Sequence, residues 1–442
     1  MNASPFDTLP ELSQKDALKI LRTPLEELKI SSDYYKAVFH LSKYPSIQTE
    51  EALLELLQNK SKAHSILIAK RKAIEVLGKM QCKKAIPYIS KALKSRDPYL
   101  VENSAWALQE IGCADIKIHN LIGTLLNQPY QNKRVLIQSL SKMGAKSELS
   151  KIQKIFEKNE ISPGVKGAAI AAFSILDDQN DYINQLKDFL DLPNQNDRQC
   201  AAQDVIDAKA YQLLEYVIET PISPFFRIRA ITSLWNGLID KFGTQYVLDL
   251  LDTVLIDSPT NIRILKTYKF HPNSKFLIKE LFSPDFNHCF IALNKIIKIN
   301  NISVWKAIDD NWYELKKDYG ALYFLVILIR YLNFSEEEYR EKAFELIDHC
   351  LDKSWPDFMK FKPQAIFTSM NLAPEFFLKN IELFLDEVST PYWVSRYMSL
   401  ICIERLLESG KNNFIKKYFL TKIEDPNQFV KTKAEYLYSK YL

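Results

Sequence analysis

An all-α chain built as a solenoid of stacked helix pairs is what this sequence predicts, on three observations. First, Leu77, Leu108, Leu140, Phe173, Val205 and Leu234 form an apolar column at spacings of 31, 32, 33, 32 and 29 residues. A fixed period of about thirty residues, with 3–4 spacing inside it, marks a helical repeat. Second, small residues stand four before the column at Ala73, Ser104, Ala169, Ala201 and Ala230, where they let neighbouring repeats approach closely. Third, 10 glycines in 442 residues lie far below ordinary usage, and neither GxGxxG nor a P-loop pattern occurs. Folds built on Gly-rich phosphate loops are thereby disfavoured. A solenoid is a curved α/α superhelix, and its inner face is where function is expected.

The first unit is expected over Asp33–Asn59, with Leu41 in the column. One later unit shows how the repeat is written. Lys83 to Ser95 carries apolar residues at Ala85, Ile86, Ile89, Ala92 and Leu93, the pattern of an amphipathic helix. Asp97-Pro98 then offers an N-cap with proline in the first turn. A second helix runs through Leu100, Val101, Ser104, Ala105, Leu108 and Ile111, and Gly112 stops it. Two antiparallel helices of this length match the HEAT-type unit. From about Asp240 the register fades into aromatic-rich helices, and Asp425-Pro426 with Val430 to Leu437 restores it at the end. The expectation is one continuous HEAT-like solenoid over 1–442, regular over 15–240 and less regular over 241–442.

Charge and composition narrow the function. With 58 basic and 54 acidic residues the net charge is +4, too mild for wholesale neutralisation of a nucleic-acid backbone. The six cysteines (82, 113, 200, 289, 350, 402) form no CxxC pair, as expected of reduced thiols in a cytoplasmic protein. The opening MNASPFDTLPELSQ lacks the basic and apolar stretches of a signal peptide, so none is expected. The longest apolar run, Ala321 to Ile329, is too short to span a bilayer. The six histidines form no HExxH pair, and no metal site or resident cofactor is expected. His288-Cys289 is expected to be packing, because adjacent helix positions point apart.

Three features carry candidate chemistry. Seven residues before each column position stands Lys70, Val101, Lys133, Lys166, Arg198 or Arg227. A cation in the first helical turn opposes the macrodipole, so something must offset it: a ladder to neighbouring loops, a row of anion contacts, or both. The polar face of the second helices presents Arg71, Lys72 and Glu75, then Glu102, Asn103 and Trp106, then Arg134 and Gln138, and later Arg229. Trp106 there is either packed on an adjacent loop or offered to a flat, conjugated ligand. The segment from Asn311 to Tyr323 gathers aromatics around Asp318, which is either a helix cap or a ligand-facing acid. Glu314 would share its face on a continuous helix.

KRKAIEVLGKM (70–80), VENSAWALQEIG (101–112), DRQCAAQDVIDAKAY (197–211), FRIRAI (226–231), HPNSKFLIKELFSPDF (271–286) and DYGALY (318–323) together resemble the HEAT-repeat bilin lyases. This clan attaches linear tetrapyrroles to phycobiliprotein cysteines in the cyanobacterial phycobilisome. The likeness spans about residues 15 to 330 and is strongest to the phycoerythrin-specific members. It implies a bilin held in the concave groove, with Asp318 and Tyr319 as the acidic and phenolic catalytic positions. Arg71, Glu102, Asn103, Trp106, Arg198, Arg227, Arg229 and Tyr323 are the implied ligand-binding set. Phycoerythrobilin would be the bound substrate, a phycoerythrin subunit the acceptor, and a second lyase subunit a further partner. Beyond Tyr323 Phe and Tyr replace the small-residue spacing, so no groove residue is carried over. Leu322 stands where a polar residue is expected, and isomerisation of the bilin stays open.

The chemistry suits these residues on its own terms. An acceptor thiolate adds to the ethylidene carbon of the bilin A ring, so the lyase needs only to hold, protonate and orient the bilin. A carboxylate can meet pyrrole N–H groups, Arg can pair the propionates, and Trp and Tyr can pack on the rings. The competing expectation is a non-enzymatic HEAT scaffold gripping a protein partner. A HEAT-type DNA glycosylase is disfavoured by the mild charge.

Overall fold

The computed structural model describes residues 11–28, 30, 32–299, 301–334, 336–352, 360–410 and 413–442. The first ten residues of the N-terminal reading lie outside the described residues. The chain is all-α, with no strand among the described residues, and it forms two compact units, 1–186 and 187–442.

The first unit is five helix pairs. They are α1 (Gln14–Arg22) with α2 (Asp33–Leu41), α3 (Ile47–Gln58) with α4 (His64–Lys79), and α5 (Ile86–Ala92) with α6 (Pro98–Ile111). Then come α7 (Ile116–Leu125) with α8 (Lys133–Lys142) and α9 (Leu149–Phe156) with α10 (Pro163–Asp177). The second helices α2, α4, α6, α8 and α10 pack one on the next. The expected first unit, Asp33–Asn59, is corrected by one helix: α2 packs on α1, which completes the opening pair.

Local chemistry sets these boundaries. Asp97 caps α6 by accepting the Tyr99 N–H at 3.1 Å, Pro98 fills the first turn, and Gly112 ends the helix at φ 70°. That φ is left-handed backbone that glycine adopts without a Cβ clash. Ser46, Asp115, Asn132 and Ser162 cap α3, α7, α8 and α10 in the same way. Leu41, Leu77, Leu108, Leu140 and Phe173 are all fully buried, so the column is the core seam of the stack. Truncating one of these leucines to alanine costs about 2–5 kcal/mol. The small residues four before the column, Ala73, Ser104, Ala169, Ala201 and Ala230, are all buried; at Gly78, just after the column, a Cβ would lie 2.9 Å from Ala107 Cα, so α4 and α6 approach closely there.

The second unit begins in the same manner. Helices Gln195–Asp207, Pro224–Ser233 and Thr244–Ile256 pack in succession, with Val205 and Leu234 buried. The later helices Lys362–Leu372, Trp393–Glu408 and Gln428–Tyr441 also pack in succession, and the first two of them pack back on helix 244–256. Side-chain bonds seal that return at sequence separations of 109, 145 and 181, from Gln364 to the Leu255 carbonyl, Tyr397 to Asp252 and Lys433 to Asp252. A separate apolar cluster centred on Phe290, Trp305 and Phe324 fills the middle of this unit. The fading register near residue 240 therefore falls inside a unit whose later helices pack on long-range partners.

Candidate functional site

In the first unit, four candidate residues lie on α4 and α6. The Arg71 guanidinium bonds Asp97 Oδ2 at 2.8 and 2.7 Å and covers the Tyr99 ring at 5.0 Å. Asp97 is the cap of α6, so Arg71 is a rung of the inter-repeat ladder. Asn103 donates to the Arg71 carbonyl at 3.2 Å, and Glu102 accepts from Asn132 at 3.1 Å, which continues the ladder towards α8. Trp106 is half-buried and packs on the unit's core, with its Cζ3 3.3 Å from where a Gly78 Cβ would stand. Its indole thus serves the α4–α6 contact and still keeps an accessible part. Lys72 and Lys79 both pair with Glu75, at 2.9 and 2.7 Å, beside these residues. Burial pushes the Glu75 carboxyl up, yet the bonds from Lys79 and Lys72 outweigh it and hold it below the usual range.

In the second unit the basic row turns inward. Arg198 is fully buried and donates to the carbonyls of Leu192, Pro193 and Pro221 and to the Asp285 carboxylate. Arg227 is 1% exposed, bonds the Ile222 carbonyl at 3.2 Å and pairs with Asp257 at 2.9 Å. These partners offset the unfavourable macrodipole position. Expected to meet a ligand, both guanidiniums instead have no surface left to offer one. Tyr323 is likewise buried and donates its hydroxyl to Asp257. Burial and then the adjacent carboxylate push this phenol well above its ordinary value, so it stays protonated. Arg229, in contrast, is exposed, and its side chain makes no hydrogen bond or ion pair among the described residues.

Asp318 stands between helices Trp312–Lys317 and Tyr319–Ile329, in extended backbone. The helix is broken there, so the expected shared face with Glu314 does not form. Asp318 Oδ1 accepts the Ala321 N–H at 2.8 Å as the cap of the second helix. Asp318 is exposed, and its other carboxylate oxygen accepts nothing among the described residues. Tyr319 is 44% exposed and lies over the Phe361 ring at 6.4 Å with an 18° tilt. A capping acid with a spare oxygen thus sits beside an accessible phenol.

Two buried polar networks have no counterpart among the candidate residues except Arg227 and Tyr323. In one, Arg330 donates to the Ile256 carbonyl at 2.7 Å, to Thr368 at 2.9 Å and to Gln364. Gln364 also reaches the Tyr323 hydroxyl at 3.4 Å, which links Arg330 to the Asp257–Arg227 pair. Burial lowers the Arg330 guanidinium to about 10, so it remains a cation at neutral pH. In the other, Lys433 is gripped by Asp252 at 2.7 Å and Glu404 at 2.6 Å. The signal for the first was one cation, Arg330, closing the apolar run 321–329.

Five of the six thiols are buried and not activated. Cys82, Cys113, Cys289, Cys350 and Cys402 are buried, and burial raises each thiol above its ordinary value. His288 turns to Glu280 at 2.9 Å while the Cys289 sulfur faces backbone carbonyls, so the two form no dyad. The accessible candidates are suited to holding and protonating a ligand rather than attacking one. Among the described residues no helix is long and apolar enough to cross a membrane.

Sequence comparison with known proteins agrees with a helical-repeat architecture. The PBS lyase HEAT-like repeat model matches residues 69–95, the stretch from α4 through α5. Bilin biosynthesis protein CpeY of Synechococcus sp. (strain WH8020) is 31% identical over 405 residues, covering 91% of this chain and 96% of that protein. An uncharacterized phycocyanin operon protein Y of Pseudanabaena tenuis (strain PCC 7409) is 30% identical, covering 90% and 93%. The solved complex of CpcE and CpcF of phycocyanin lyase from Nostoc sp. PCC7120 aligns at 22% identity with a TM-score of 0.49, over 57% of this chain and 99% of that one. With identity above 30% along almost the whole length of both proteins, this chain belongs to the CpeY-type HEAT-repeat bilin lyases.

Proposed function

We propose that this lyase attaches phycoerythrobilin to a cysteine of phycoerythrin, on its α subunit, through a thioether bond. The observation that carries the reading is the near full-length likeness to a bilin biosynthesis protein of the CpeY type. The accessible residues support it. The uncommitted oxygen of Asp318 meets pyrrole N–H groups and favours the protonated bilin, with Tyr319 beside it. Arg229, exposed and without a side-chain partner among the described residues, is a guanidinium of the kind that pairs a propionate bidentately. On the first unit, the accessible part of Trp106 with Glu102 and Asn103 offers an aromatic and polar face to a conjugated ring.

The reaction asks little more of the protein. The acceptor sulfur bonds to the ethylidene carbon of ring A, the π pair moves into the tetrapyrrole, and the thiol's proton ends on the tetrapyrrole. Atoms balance without a further reactant. The enzyme's part is to hold one bilin conformation and present one face, which replaces a bimolecular encounter by an oriented one. Isomerisation of the bilin and service by a second lyase subunit belong to the same proposal as open branches.

The experiment is co-expression of this chain with the apo-phycoerythrin subunits and a phycoerythrobilin source. A covalent, zinc-fluorescent α subunit is expected, and its absorption spectrum reports whether the bilin is isomerised. No adduct on either subunit, with the purified chain leaving the bilin spectrum unaltered, would leave a non-enzymatic scaffold as the better description.

A further inference from the structure

The chain's positive charge is concentrated in one place. Between Asn59 and Asp97 stand eleven basic and two acidic residues, against a net charge of +4 for all 442. Both acids are already spent: Glu75 on Lys72 and Lys79, Asp97 on Arg71. Beside this stretch lies a cavity of about 460 Å³ between the repeats, walled by the end of α3, the middle of α4, the body of α5 and the start of α6. Half-buried Leu57 and Leu100 give it apolar surface over the buried Ile74, Lys70 and Lys91 enter from the sides, and no carboxylate is among its lining residues. Among the described residues the Lys70 ammonium bonds only the Asn59 carbonyl, and Lys91 lies 5.9 Å over the Tyr88 ring. The loops that continue from α3 and α5 add exposed Lys60, Lys62, Lys94 and Arg96 around it.

We propose that this basic, apolar-floored cavity docks the acceptor protein, taking an acidic segment that seats one apolar side chain between Leu57 and Leu100. The inference rests on the lyase reading, because a lyase must position a protein as well as a bilin. Charge complementarity selects an acidic partner, since eight of the eleven basic residues here have no ion pair with Glu75 or Asp97. The apolar floor selects a polypeptide over a nucleic acid, whose phosphates would leave Leu57 and Leu100 unused. Stacked bases would also need open aromatic faces, and the one aromatic ring in the lining is covered by Lys91.

The test reverses the charge of two exposed residues that carry no structural bond, as Lys91→Glu/Lys94→Glu in the full chain. Lys298→Glu/Lys306→Glu in the second unit is a control of equal net charge. Three quantities are followed: the bilin absorption spectrum, the transfer kinetics with apo-acceptor, and direct binding of apo-acceptor by sedimentation. The expected result is an unchanged bilin spectrum and kcat, with the acceptor KM and Kd raised about tenfold and the salt dependence reduced, because charges at an interface rim act on encounter. The control should behave as the unaltered chain. Acceptor binding that ignores the reversal overturns the proposal, as does loss of the bilin spectrum in the same variant. Salt-dependent oligonucleotide binding that disappears in the variant while acceptor KM stays put would reassign the patch. If the unaltered chain transfers no bilin at all, the lyase reading fails on its own, and the sedimentation arm still decides the docking site.

Discussion

Replacing Asp318 separates two tasks held by one carboxylate. Its Oδ1 accepts the Ala321 N–H at 2.8 Å, and its second oxygen is uncommitted among the described residues. Asp318→Asn keeps an oxygen at the cap but removes the charge; Asp318→Ala removes both. Asn and Asp are comparable N-caps, whereas alanine costs about 1 kcal/mol. The helix belongs to the unit over 187–442, whose unfolding entropy near 60 °C is about 0.5 kcal/mol/K at roughly 2.1 cal/mol/K per residue. The alanine change should therefore lower Tm by about 2 °C and the asparagine change by less than about 1 °C. If the charge protonates and holds the bilin, both variants lose thioether product alike, by about a hundredfold or more. Scanning calorimetry and zinc fluorescence of the co-expressed acceptor measure the two effects separately. Labelling by Asp318→Asn at the wild-type rate would reduce Asp318 to a helix cap and refute its chemical role.

Other expectations follow from the buried pairs. Asp257→Ala leaves Arg227 buried without its carboxylate and Tyr323 without its acceptor and should destabilise the second unit by about 3–5 kcal/mol; a denaturation midpoint close to wild type would show that the network does not hold the fold. Burial pushes the Asp425 carboxyl up, but the bidentate bonds from Arg396 at 2.8 Å and the Asn427 N–H hold it below the ordinary value. Its folded pKa thus lies below the unfolded one, near 3.9. The stability it contributes is present above about pH 4 and lost as the pH falls through the folded value, so Asp425→Asn should flatten the acid limb of a stability profile. Gly78→Ala puts a methyl 2.9 Å from Ala107 and should cost about 1–3 kcal/mol by parting α4 and α6, readable as a lower Tm; a raised Tm would mean that helix propensity outweighs the clash.

What was legible in the sequence is what the chain decides locally. The column from Leu77 to Leu234 and the Asp97-Pro98 start of α6 depend on helical period and capping, and both stand in the fold. The ladder was legible as a pattern, but not its direction. Whether Arg198 faces a groove or the carbonyls of Pro193 and Pro221 depends on where Asp285 sits, 87 residues on. Asp318 could be read as cap or ligand because both uses ask for the same residue before a helix. The Arg330 and Lys433 networks were illegible for a simpler reason. Their partners, at separations up to 181 residues, share no period.

Those long separations also set the order in which the protein can be completed on the ribosome. Each repeat of the first unit meets its neighbour about thirty residues later, within seconds of synthesis at roughly 5–20 residues per second. Helix 244–256 must wait for Gln364, Tyr397 and finally Lys433. At that pace Asp252 stays without its last partner for about 9–36 s. The nascent chain thus passes through a stage with a finished N-terminal unit and an open, apolar second half, which is when a chaperone would have most to hold.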